Sequence, residues 1–231
     1  MRARRRDEAW RYRRLLATGY DSAVHREPLA RAGARLLWGY DIRQAWAMID
    51  EAARAAPGSL VLDAPSGGGI ALRGLRPGQP VHYVAADISA AVLARARGRA
   101  GGRGLTDVAL VQADVAALPF SDAAFGRCLS YNGLHCLRVP RAAIAEYARV
   151  LRPGGTLRGI TIVAGTGRWH DAVTWALRRA GVFGPPFLAH ELAGWLSAAG
   201  LDEVRISCSG AVAAFSARRP APAGRAQGEQ G

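Results

Sequence analysis

Three aspartates that each close a short apolar run, Asp63, Asp87 and Asp114, are the side chains best placed to hold a polar ligand. The first follows Leu60-Val61-Leu62 and leads into Ala64-Pro65-Ser66-Gly67-Gly68-Gly69, an acidic, glycine-rich turn. Glycines there let the backbone turn tightly and let a ligand approach where a Cβ would collide. Asp87 stands 18 residues beyond Gly69, in Ala85-Ala86-Asp87-Ile88-Ser89. Its two acceptor oxygens match two adjacent sugar hydroxyls. Asp114, in Gln112-Ala113-Asp114-Val115, suits an exocyclic amine, with Val115 able to cover an aromatic ring. Ser130-Tyr131-Asn132-Gly133 adds a polar, unhindered run. Together these groups fit a nucleoside with a polar tail. A dinucleotide loop of the form G-x-G-x-x-G is disfavoured, because position 72 is leucine. Each aspartate also has a purely local alternative, the capping of a turn or helix start.

Such groups converge only if the runs before them are neighbouring parallel strands, since ligands bind at the carboxyl ends of open α/β sheets. The apolar patterning predicts a helix over 41–56, a strand over 59–64, a helix in the early 70s and a strand over 81–86. It continues with a helix over 90–99, strands over 108–112 and 126–131, a helix over 142–151 and a strand over 156–163. That rhythm is α/β, a doubly wound, mainly parallel sheet. A helix over 191–199, closed by Gly200, then gives way to runs at 203–208 and 211–217 joined by Ser209-Gly210. The short connection predicts an antiparallel C-terminal hairpin, for seven strands in all.

A chain of 231 residues can bury one sizeable core without disulfides. Cys128, Cys136 and Cys208 are too few and too scattered for a disulfide framework or a four-ligand zinc site, and read as buried small hydrophobes. No metal is expected. The net charge of +13 comes entirely from arginine, the sequence having no lysine. Arginines crowd positions 2, 4, 5, 6, 11, 13 and 14, and again 95, 97, 99 and 103. Solvated faces and a basic tail account for them; RNA or membrane-surface binding is the competing reading. No apolar run reaches the roughly 18 residues of a membrane span, and the first 14 residues lack the apolar core of a secretory signal. A cytoplasmic protein is the expectation. The stretch from 218 to 231, rich in Pro, Gly and Ala, reads as a disordered tail.

Four signals in order resemble the class I S-adenosylmethionine-dependent methyltransferases, in the small-molecule branch that includes ubiquinone and menaquinone biosynthesis enzymes. They are Val61-Leu62-Asp63-Ala64-Pro65-Ser66-Gly67-Gly68-Gly69, Ala85-Ala86-Asp87-Ile88-Ser89, Gln112 through Phe120, and Arg149-Val150-Leu151-Arg152-Pro153-Gly154-Gly155-Thr156-Leu157. The resemblance implies the Rossmann-like methyltransferase fold and S-adenosyl-L-methionine as cofactor. By the same resemblance, Gly67 and Gly69, with Asp63 and Ser66 of their loop, approach the methionine part. Asp87 takes the ribose hydroxyls, Ile88 covers adenine, Asp114 with Val115 holds the adenine edge, and Ser130 and Tyr131 lie near the methionine carboxylate or the sulfonium. One departure stands out: Pro65 occupies a position where the family usually has glycine, which stiffens the loop's entry and removes a donor.

Methyl transfer needs positioning of the acceptor and exclusion of water more than a dedicated catalytic group. Where the acceptor is a hydroxyl a base helps, and His135, just after the fourth strand, is the candidate, with a structural or cofactor-lining role as its alternative. Residues 165–190, with Trp169, Trp175, Phe183 and Phe187, suit a substrate cover, or else an ordinary helix packed on the sheet. The N-terminal segment 1–40, with Tyr12, Tyr20, Trp38 and Tyr40, suits a helical cap on the domain 41–217. The expected activity is methyl transfer to a small, hydrophobic or aromatic metabolite. An RNA methyltransferase and a non-catalytic cofactor-binding protein are the alternatives, the first disfavoured because Ser130-Tyr131-Asn132-Gly133 lacks the signature of base-amine methylating enzymes. Oligomeric state is left open.

Overall fold

The computed structural model describes residues 27–52 and 55–221. Two helices, α1 (Glu27–Trp38) and α2 (Ile42–Ala52), precede the sheet. Strands β1 (Ser59–Asp63), β2 (Val81–Asp87), β3 (Val108–Gln112), β4 (Phe125–Tyr131) and β5 (Leu151–Ile162) follow, with α3 (Ala90–Gly102) between β2 and β3 and α4 (Pro140–Val150) between β4 and β5. Helices α5 (Arg168–Arg179) and α6 (Ala189–Ala198) lead to β6 (Asp202–Ser209) and β7 (Val212–Arg218). The seven strands lie in the order β3-β2-β1-β4-β5-β7-β6. β1 to β5 are mutually parallel, and β7 runs antiparallel to both β5 and β6. This is the mainly parallel, doubly wound sheet with an antiparallel C-terminal hairpin that the patterning predicts.

Successive strand residues face opposite sides, and the apolar runs use both. Val61, Tyr83, Leu129 and Tyr131 join one core with Trp38, Ile49 and Leu72. Leu62, Cys128 and Leu157 join the other with Ile144, Tyr147, Leu192 and Phe215. A sheet buried on both sides has no polar alternation to display, which is why its strands read as continuous apolar runs.

Several elements depart from expectation. The helix expected in the early 70s is only a 3-10 stretch, Ile70–Gly74. The connection between the helix expected over 142–151 and the strand expected over 156–163 lies inside β5: Phe125 pairs with Leu151 and Arg127 with Thr156, so 152–155 bulge out of register. The hairpin turn is Gly210-Ala211 rather than Ser209-Gly210, because Ser209 still pairs with Val212. Gly210 has φ 55, and a Cβ there would collide with the Trp38 carbonyl oxygen. The Ala211 N–H donates to that same oxygen at 2.8 Å, so the hairpin tip docks on the end of α1. Strand β7 runs through Arg218, and the Arg219 guanidinium donates to the carbonyls of Ala148, Arg149 and Leu151, so the chain is held past the expected start of the tail. Residues 222–231, like Arg2 to Arg14, Tyr12 and Tyr20, lie outside the described residues. Of the three cysteines only Cys128 is buried; Cys136 and Cys208 are exposed, since they fall after β4 and on the outermost strand β6.

Candidate functional site

The carboxyl ends of β1, β2 and β4 meet around the glycine turn. Gly67 and Gly69 have φ of 54° and 85°, a region that side-chain-bearing residues rarely adopt. Their surroundings differ. A Cβ on Gly69 would press into Leu72 and Ala96, so this glycine closes the loop against α3. Nothing lies within 4 Å of a Cβ on Gly67, so the space above it is open. Pro65 follows a cis peptide bond, and its ring lies against Gly133 so closely that any side chain there would collide. The Tyr147 hydroxyl, from α4, donates to the Ala64 carbonyl and ties the loop entrance from beneath.

Asp87 organises the loop. Its Oδ2 accepts from the Gly67 N–H at 3.0 Å and its Oδ1 from the Ser89 N–H at 2.9 Å. Burial pushes its carboxyl above the usual range, partly offset by these two bonds. Helix capping, its local alternative, falls to Ser89, whose hydroxyl accepts from the Val92 N–H. Each carboxylate oxygen keeps a lone pair free for a further donor. Ile88, next in the chain, is 65% exposed, an apolar side chain presented to whatever enters beside β2.

Asp63 is enclosed, with neither carboxylate oxygen hydrogen-bonded. Burial raises its pKa to about 7, and the neighbouring Asp87 charge adds to the rise. Tyr83 opposes the rise by more than Asp87 adds to it: its hydroxyl is near, although no bond of adequate geometry joins the two groups. Residue types alone do not reveal Tyr83; the register does. Val61 pairs with Tyr83 and Asp63 with Ala85, so Tyr83 is the same-face diagonal neighbour of Asp63.

The remaining residues divide. Ser66 and Ser130 are buried with unsatisfied hydroxyls. Ser130 and Tyr131 are successive strand residues on opposite faces, so they do not share one spot. Tyr131 joins the α1/α2 side, where its hydroxyl donates to the Met48 carbonyl at 3.3 Å. Asp114 is exposed and its Oδ1 accepts from the Ala116 N–H at 2.9 Å, the local turn its alternative reading anticipates, leaving the second oxygen outward. The Val115 side chain is packed in the core with Leu62 and Ala86, so only its backbone faces the site. Arg149, from the fourth sequence signal, braces this loop by donating to the Leu118 and Phe120 carbonyls at 3.0 and 2.7 Å while paired with Glu146 and Asp122.

His135 is fully enclosed. The Ile162 N–H donates to its Nδ1 at 3.2 Å, the Thr161 hydroxyl lies at 3.2 Å from the same atom, and Phe183 covers the ring edge-on at 4.5 Å. Accepting at Nδ1 places the proton on Nε2. Burial lowers the pKa to about 3, which leaves a weak base. These contacts are those that its structural alternative anticipates.

Beside the glycine turn a cavity of about 140 Å³ opens between α1, α2 and the ends of β4 and β5. Trp38, Trp46, Ile49, Ile160 and the Tyr131 ring make it apolar; Tyr40 and Asn132 are its polar members. The Tyr40 hydroxyl is buried without a hydrogen bond, and burial pushes its pKa up to about 12. Residues 165–190, expected as a cover, contribute no lining side chain. Trp169 donates to the Leu36 carbonyl at 3.0 Å, Phe183 stacks on the buried Trp38 at 5.9 Å, and Phe187 joins the core on the other side of the sheet.

Residues 62–158 match the family described as methyltransferase domain. The demethylmenaquinone methyltransferase of Thermus thermophilus is 38% identical over 125 residues, covering 53% of this chain and 55% of the relative. A ubiquinone/menaquinone biosynthesis C-methyltransferase of Methylobacterium nodulans is 36% identical over 125 residues, covering 51% of this chain and 49% of the relative. The chain thus spans about half the length of these curated relatives. Among solved structures, the [4+2]-cyclase SpnF superposes with a TM-score of 0.65 at 22% identity, covering 89% of this chain and 95% of that one. Phosphoethanolamine N-methyltransferase 2 of Haemonchus contortus, in complex with S-adenosyl-L-methionine, superposes with a TM-score of 0.66 at 14% identity, covering 77% and 52%. These two likenesses concern the fold.

Proposed function

We propose that this chain is a class I S-adenosylmethionine-dependent methyltransferase akin to those of quinone biosynthesis, and that it methylates a small, apolar, ring-bearing metabolite bound between α1 and α2. The observation that carries the reading is the apolar cavity placed directly beside the glycine turn.

The residues of the turn fit the cofactor. The open space over Gly67, the unsatisfied hydroxyl of the adjacent Ser66, and the buried, unpartnered Asp63 carboxylate suit a polar ligand that carries a cation. S-adenosylmethionine brings two positive centres, an ammonium and a sulfonium whose methyl group is activated for displacement. Asp63 answers the ammonium, since a neighbouring positive charge restores the ionised form that burial disfavours. Asp87 accepts from the ribose hydroxyls with the lone pairs left over from Gly67 and Ser89. Ile88 would cover the adenine, and Asp114 would offer its remaining oxygen to the amine.

The acceptor cavity does its work by shape. Its walls are mostly apolar, and among the described residues the ionisable side chains in its lining are two phenols, Tyr40 and Tyr131. Tyr40 stays protonated at neutral pH and donates, so an oxygen on the acceptor ring satisfies the hydroxyl that is otherwise orphaned. With His135 held neutral and covered, the acceptor supplies its own nucleophile: an electron-rich carbon, an amine, or an oxygen that ionises readily. Helices α1 and α2 serve as the cover.

Calorimetric titration with S-adenosylmethionine and S-adenosylhomocysteine, followed by transfer of a labelled methyl group to phenols, quinols, amines and total RNA, tests the proposal. Saturable cofactor binding with label in an organic-extractable product is the expected result. Binding without any transfer turns the chain into a cofactor-binding protein, and label in RNA alone overturns the acceptor class.

A further inference from the structure

We propose that the outward faces of α1 and α5 form a docking surface for an anionic lipid bilayer. Five of the eight large apolar side chains exposed among the described residues, Leu29, Leu36, Leu37, Trp169 and Trp175, belong to these two helices. Helix α1 buries Ala30, Ala34 and Trp38 against the domain. Its opposite side should then be polar, yet it carries Leu29, Ala32 and Leu36 at helical spacing, with Leu36 72% exposed. Trp169 joins the two helices through its bond to the Leu36 carbonyl, and Trp175, 61% exposed, continues the surface along α5.

The charges around this apolar strip select the occupant. Arg31 and Arg35 lie on α1, and Arg168, Arg178 and Arg179 on α5, all exposed. The acidic groups of these helices are engaged: Glu27 pairs with Arg31 at 2.8 Å, and Asp171 accepts from the Gly165 N–H at 2.9 Å. Arg179 lies 5.2 Å over the Trp175 ring, the arginine-on-indole pairing of an amphipathic interface. Residues 1–14 of the sequence hold seven further arginines, in a chain of net charge +13. Tryptophan and leucine flanked by arginine is the composition of a surface that inserts at the headgroup level of an anionic leaflet. Exposed leucines offer nothing to a phosphate backbone, which disfavours RNA, and two copies of so basic a face repel each other.

The surface adjoins the cavity, for Leu29 and Leu37 belong to both. An apolar acceptor can therefore pass from the bilayer to the cavity without crossing bulk water; this consequence, unlike the docking, rests on the methyltransferase reading.

Co-sedimentation with vesicles of phosphatidylcholine, with and without about 30 mol% phosphatidylserine, tests the docking at near-physiological salt. The parent is expected to partition onto the anionic vesicles. The double substitution Leu36→Ser, Trp175→Ser leaves every charge in place and is expected to weaken partitioning about tenfold or more, while calorimetric affinity for S-adenosylmethionine stays within about twofold. Equal partitioning of parent and double variant would reduce the effect to electrostatics and overturn the proposal. So would failure of the parent to bind vesicles, tight binding of a hairpin RNA in their place, or a dimer in gel filtration that the double variant dissociates. Loss of cofactor binding by the parent would count against the methyltransferase reading and leave the docking result standing.

Discussion

Replacing Asp63 by asparagine should stabilise the protein without cofactor while weakening cofactor binding. The carboxyl is enclosed, without a hydrogen bond, and has its pKa raised from 3.8 to about 7. A raised acid pKa means that the folded state holds a proton that the unfolded state has released. Stability therefore falls as pH climbs from the unfolded value toward the folded one, and the full penalty is present above about pH 7. A shift of about three units corresponds to about 4 kcal/mol. The asparagine amide keeps the shape without the charge but must find a partner for its N–H groups, with the Tyr83 hydroxyl nearby, which returns about 1 to 2 kcal/mol of the gain. A net gain of about 2 to 3 kcal/mol at about pH 8 raises the melting temperature by about 5 to 10 °C in a chain of this size. At about pH 4 parent and variant should melt together. Calorimetric melts across that range, paired with S-adenosylmethionine titrations, read both effects. The parent should release a proton on binding below about pH 7, seen as a dependence on the buffer's ionisation enthalpy, and the variant should not. Melting curves that differ by the same amount at every pH, or a variant that binds the cofactor as well as the parent, would refute the reasoning.

Substituting Asp87 by alanine removes the clamp on Gly67 and the proposed ribose acceptor; cofactor affinity should fall at least tenfold and stability by about 1 to 3 kcal/mol, by titration and denaturant melts. His135→Ala should lose about 2 to 4 kcal/mol, because it leaves the Ile162 N–H unpaired and a void under Phe183. Methyl transfer per folded molecule should survive that change, and a pH–rate profile that loses an inflection with it would restore His135 as a base. Gly33→Leu places bulk in the cavity wall, at a position where nothing lies within 4 Å of a Cβ. The acceptor KM should rise at least tenfold, with S-adenosylmethionine affinity unchanged in calorimetry.

The glycine turn and the aspartates at the strand ends were legible because each obeys a local rule. A strand running into an acidic turn needs left-handed glycines, and Gly67 and Gly69 have them. The hairpin was legible from its short connection, though its turn lies one residue later than the spacing suggested. Where the sequence left two readings open, the contact that bears on the choice is remote in sequence. His135 has the residue type of a base, yet Thr161, Ile162 and Phe183 surround it and make it neutral. Residues 165–190 carry the aromatics of a cover, yet Phe183 and Phe187 pack into the two cores and Trp169 bonds to α1.

The sequence by itself determined the order of the elements, the two-sided burial of the strands, and the polar groups gathered at their carboxyl ends, since periodicity and backbone freedom are properties of neighbouring residues. Tertiary structure alone decided the environments. Strand register set Tyr83 beside Asp63, the α1/α2 pair closed an apolar cavity beside the glycine turn, and burial shifted Asp63 and His135 in opposite directions from their ordinary pKa values. Enclosure disfavours whichever form carries charge, protonated for histidine and ionised for aspartate. How far a group is enclosed depends on chain segments that local sequence does not name.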